Sequence, residues 1–72
     1  MTVRQLLDVV DKHITIRIRG AYLGNSYFSG TSIGFYHNLD KYGYMLDWRV
    51  SRLNITRGDM SAWFDAYVEV EE

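Results

Sequence analysis

The chain has 72 residues, eight basic side chains against nine acidic ones, a formal net charge of −1, and neither cysteine nor proline. That length allows one domain, here residues 1–72. The missing cysteines exclude disulfides and thiolate metal sites, and the near-neutral charge speaks against both a strongly basic nucleic-acid binder and an acidic DNA mimic.

The first element is a helix. Thr2 and Gln5 stand at capping-box spacing, and Val3, Leu6, Leu7 and Val10 fall at i, i+3, i+4 and i+7. The spacing predicts a helix from Val3 to Lys12, with Lys12 and His13 at the end where positive charge suits the helix dipole. Ile14, Ile16 and Ile18 then alternate with Thr15, Arg17 and Arg19, the pattern of a half-buried strand. Gly24-Asn25 suits a two-residue hairpin turn of positive φ. Ser26-Tyr27-Phe28-Ser29 would return antiparallel with Tyr27 opposite Tyr22, and Gly20 and Gly30 would mark a bulge or bend. Between Gly34 and Gly43, residues 35–42 read as a short helix or an ordered loop. Residues 48–55 read as a strand whose alternation slips between Val50 and Leu53, as a bulge would cause. Thr56-Arg57-Gly58-Asp59 reads as a turn. A last strand places Phe64, Ala66, Val68 and Val70 on one side and Trp63, Asp65, Tyr67 and Glu69 on the other.

These elements predict an α+β fold: an N-terminal amphipathic helix packed on a three- to four-stranded antiparallel sheet, with a short second helix around residues 35–42. The far face of that sheet would be open, and Arg17, Arg19 and Tyr67 would meet there. A chain this short buries only about 60% of the surface its unfolded state exposes. Its core supplies roughly 3–5 kcal/mol, so a partner or a second copy of the chain is expected to supplement it. No apolar run approaches the ~20 residues of a membrane span. Met-Thr-Val-Arg-Gln lacks the basic and apolar regions of a secretory signal, so the expected compartment is the cytoplasm.

Little points to catalysis. His13 reads as a helix-end residue and His37 as a loop residue, and neither has a second histidine at metal-ligand spacing. No nucleophile elbow, phosphate-cradling glycine loop or dinucleotide fingerprint is present. No metal and no cofactor are expected. Arg57-Gly58-Asp59 matches an adhesion tripeptide, but glycine between charged residues is also what a tight turn needs.

The aromatic content is the main departure from ordinary composition: six Tyr, three Phe and two Trp. Phe28, Phe35 and Phe64 are expected inside, and several tyrosines from Tyr22 to Tyr44 outside, where Tyr and Trp dominate interface energetics. The candidate binding residues are Tyr22, Tyr27, Tyr36, Tyr42, Tyr44, Trp48, Trp63 and Tyr67, with Arg17, Arg19, Arg49 and Arg52 beside them on the strands. Guanidinium groups next to aromatic faces also suit phosphates and stacked bases, although strands ordinarily favour aromatics and turn arginines outward.

The opening, Thr2-Val3-Arg4-Gln5-Leu6-Leu7-Asp8 through Asp11 and into Ile14-Thr15-Ile16-Arg17-Ile18, resembles the start of many small proteins of phages and integrated mobile elements. In those proteins a helix feeds directly into a strand. A later Phe28-Ser29-Gly30 and the strand Val50-Ser51-Arg52-Leu53-Asn54-Ile55 extend the resemblance to about half the chain; residues 31–47 depart from it. The resemblance implies a non-enzymatic protein that binds a host protein stoichiometrically and inhibits it, as anti-CRISPR and other anti-defence proteins do. The alternatives are a nucleotide or nucleic-acid binder, including a sponge for signalling nucleotides, and a homo-oligomeric assembly protein.

Overall fold

The computed structural model describes residues 1–12, 14–57 and 64–71; His13, Trp63 and the Gly58-Asp59 part of the expected turn lie outside the described residues. Helix α1 (Val3–Val9) starts as its sequence predicts. The Gln5 backbone N–H donates to Thr2 Oγ1 at 3.3 Å, and the Thr2 N–H donates to Gln5 Oε1 at 3.0 Å. Two further orphan donors of the first turn are satisfied from elsewhere. The Val3 N–H reaches the Trp48 carbonyl at 3.0 Å, and the Arg4 N–H reaches that of Leu46 at 2.8 Å. The helix ends short of the predicted Lys12, because Val10 is extended with ψ 143. Two consecutive β-branched residues, Val9 and Val10, favour that early exit. It lets Val10 and Ile14 pack against the core.

Strands β1 (Thr15–Gly20) and β2 (Ser26–Gly30) form the first hairpin. Residues 21–25 connect them, in place of the predicted two-residue turn. Only Gly24, φ 70, takes a left-handed conformation there, and its N–H donates to the Gly20 carbonyl at 3.1 Å. Tyr22 therefore lies in the connection, not opposite Tyr27. Arg19 pairs with Ser26 and Ile18 with Phe28, so Tyr27 is an extra residue on β2. This bulge lets Tyr27 and Phe28, although adjacent, both pack on the core.

Helix α2 (Ser32–His37), capped by Thr31 Oγ1 accepting from the Gly34 N–H, is followed by α3 (Leu39–Tyr42) and a 3-10 turn (Gly43–Met45). Strands β3 (Arg49–Arg57) and β4 (Phe64–Glu71) complete the sheet. Thr56 and Arg57 belong to β3, not to a turn, and the register of β3 slips between Val50 and Arg52, where the broken alternation predicts a bulge.

The strand order is β2-β1-β4-β3. Each hairpin is antiparallel, but β1 and β4 run parallel, so the sheet is mixed and not fully antiparallel as predicted. The helical segment between β2 and β3 carries the chain from one edge of the sheet to the other. The second hairpin then returns with β4 beside β1, pointing the same way.

One face of the sheet holds the core. Ile16, Ile18, Phe28, Ala66, Val68 and Val70 meet Val3, Leu6 and Leu7 of α1 and Phe35, Met45 and Leu46 of the helical segment. Phe28 makes edge contacts with Phe35 (5.0 Å between centroids) and Tyr42 (4.9 Å). Phe64 departs from prediction: it is 47% exposed, opposite Arg57 at the start of β4.

Candidate functional site

The strand registers define what stands on the face away from the helices. Side chains alternate across a strand, so Arg17 and Arg19 project opposite to Ile16 and Ile18. One row across the sheet reads Ser29, Arg17, Tyr67, Asn54, and the next reads Ser26, Arg19, Glu69, Arg52. Arg17, Arg19 and Tyr67 thus meet on an open face, as the alternation predicts. The Arg17 guanidinium lies 5.6 Å from the centroid of the Tyr67 ring, a cation–π contact.

Arg17, Arg19, Gly24, Ser26, Ser29 and Tyr67 line a shallow bay of about 290 Å³. The turn closes one end of it: a side chain at Gly24 would start 3.7 Å from Arg19 Nη2. Among the described residues, two guanidinium groups, two serine hydroxyls and Tyr67 line the bay, and no carboxylate does. Glu69 stands in register with both Arg19 and Arg52, yet among the described residues it forms no ion pair within 4 Å; that geometry is met only by Arg4 and Asp47, at 3.4 Å.

The remaining candidates are dispersed. Tyr27 and Tyr44 each make an edge contact with Trp48, at 5.1 and 5.4 Å. Tyr27, Tyr42 and Trp48 are half-buried against the core, and their rings serve the fold. Tyr22 is exposed in the β1–β2 connection and Tyr44 within the 3-10 turn. Tyr36 Oη donates to Asp8 Oδ1 at 3.3 Å, and partial burial followed by the Asp8 charge raises its phenol above the ordinary value of 10.0. Arg49 and Arg52 are exposed on β3 opposite Glu71 and Glu69.

A second surface runs along β3. The chain's own start covers the strand's free edge at residues 49 and 50: Thr2 bridges Arg49, and the Val50 N–H donates to the Met1 carbonyl at 2.8 Å. From Ser51 to Arg57 every residue is exposed, and among the described residues no strand pairs with that edge. Leu53 and Ile55 lie on the helix side of the sheet but beyond the reach of the helices, 39% and 49% exposed. Their alternation with Arg52, Asn54 and Thr56 is visible in the sequence, but whether a strand is central or an edge is not.

Among the described residues no group of His, Asp or Glu side chains is placed to hold a metal ion, and no helix is long and apolar enough to cross a membrane. No protein-family model matches the chain, and no curated protein or solved structure is significantly similar to it.

Proposed function

We propose that the chain is a small non-enzymatic binding protein that engages another protein stoichiometrically, through the free edge of β3. One observation carries this reading: residues 51–57 present an exposed strand edge with an apolar strip, Leu53 and Ile55, along one side. The opposite edge, β2, is shorter, five residues against nine, and a short edge strand is one way of blunting a sheet edge. A long exposed edge is a template for an extended segment of a partner, whose backbone supplies affinity while alternate side-chain pockets supply specificity. The resemblance to phage proteins supports a host protein as that partner, with inhibition of a defence complex as the outcome.

Mixing the purified chain with candidate defence complexes tests this reading. Co-migration on size exclusion and loss of the complex's activity are expected, and Ile55→Lys should weaken both at least tenfold. Full inhibition by the Ile55→Lys variant would exclude β3 as the contact. The same edge also favours a second reading, self-pairing of two copies into a homo-oligomer. Light scattering separates the two: a mass near twice 8.5 kDa at micromolar concentration is expected only of self-pairing.

A further inference from the structure

The bay on the open face is chemically distinct from the β3 edge: it spans β2, β1 and Tyr67 of β4, across the sheet from that edge. We propose that it binds a phosphate group of a small, mononucleotide-sized ligand, between Arg17 and Arg19. The lining is the first argument: two guanidinium groups, two serine hydroxyls and, among the described residues, no carboxylate concentrate positive charge in a chain whose net charge is −1. Guanidinium forks donate paired hydrogen bonds to phosphate oxygens, and Ser26 and Ser29 add single donors from the neighbouring strand. Together these outnumber what a carboxylate can accept, which favours phosphate.

Pre-organisation is the second argument. Tyr67 lies against the Arg17 guanidinium at 5.6 Å, and the Gly24 backbone lies beside Arg19 Nη2. Neither arginine is bound to a carboxylate within 4 Å among the described residues, so both forks are available. Size is the third. A bay of about 290 Å³ lies just below the range for ligand sites, roughly 300–1,000 Å³. It matches a phosphate with its attached sugar better than an entire dinucleotide.

The test is calorimetric titration at low ionic strength with a nucleoside monophosphate, inorganic pyrophosphate and the corresponding uncharged nucleoside. The monophosphate and pyrophosphate should saturate one site per chain, and the nucleoside should not bind. Arg17→Gln and Arg19→Gln should each weaken binding at least tenfold, and Ser26→Ala with Ser29→Ala should weaken it less. All four positions are at the surface, and circular dichroism checks that the variants stay folded. Two outcomes would overturn the proposal: no heat from either phosphate at millimolar concentration, or equal binding by the Arg17→Gln/Arg19→Gln double variant. A single-stranded oligonucleotide that binds while the monophosphate does not would also overturn it, because contact would then track a polyanion along the surface and not a built phosphate site.

Discussion

Gly30 shows how one position constrains two. Its φ of 158 lies where side chains are rarely found, and an added Cβ would sit 3.1 Å from Cζ of Phe28, two residues earlier on the same strand. The Phe28 ring is in turn held edge-on by Phe35 and Tyr42, so it has little room to yield. Gly30→Ala should therefore destabilise the fold by about 1–3 kcal/mol, read as a lower denaturant midpoint. The glycine is visible in the sequence as a break in β2. Its second role is not, because it depends on where Phe35 and Tyr42 hold the Phe28 ring.

Tyr36 carries the residue-scale pH prediction. Its phenol titrates above 10.0 in the folded chain, through partial burial and the charge of the Asp8 carboxylate, which accepts a hydrogen bond from the phenol O–H. Folding thus favours the protonated form. That contribution is fully present below pH 10 and is lost as pH rises through the raised folded value. In a spectrophotometric titration one of the six tyrosines should ionise later than an exposed tyrosine, and Asp8→Asn should move it earlier. The stability difference between the parent and Tyr36→Phe should shrink through the same alkaline window. Parallel pH–stability curves would show that the Asp8 contact does nothing.

At the scale of elements, the sequence is most legible where contacts are local. The capping box of α1 and the alternation of β1 each depend on residues a few positions apart, and both are found as read. Thr2→Ala removes the side-chain acceptor of the Gln5 N–H but leaves the Val3 and Arg4 donors on Trp48 and Leu46. Its cost should be about 1 kcal/mol, measured by chemical denaturation, with α1 still docked. Turn 21–25 was less legible. Gly24-Asn25 carries the signal of a short hairpin, but the type I′ turn needs positive φ at both residues and only Gly24 has it. The bulge at Tyr27 was illegible for a related reason. It follows from which residues pair across the strands, and alternation within Ser26–Gly30 does not carry that information.

The arrangement of the whole molecule depends on the least local contact, the parallel pairing of the first strand with the last. Two hairpins and a helical segment are readable one by one, but their order in the sheet is decided by how the crossover covers the core. Phe35 is central to that cover: it is fully buried between β2 and the helices, touching Phe28, Tyr36 and Tyr42. Phe64 has the same side chain and falls in an equally apolar-looking run, yet nearly half of it faces solvent. Phe→Ala in a core costs about 3–5 kcal/mol, which equals the roughly 3–5 kcal/mol that a domain of this size gains from its core. Phe35→Ala should therefore leave the chain largely unfolded at room temperature, without a cooperative thermal transition. Phe64→Ala should fold, with a midpoint close to the parent's, since surface changes typically fall within about 0.5 kcal/mol. If Phe35→Ala instead melts cooperatively near the parent temperature, the helical crossover is not what holds β2 and β1 against the rest of the sheet. A partner that pairs with β3 and also covers Leu53, Ile55 and Phe64 would reverse the asymmetry in one respect. In its presence Phe64→Ala should lose binding, while the free variant keeps its fold.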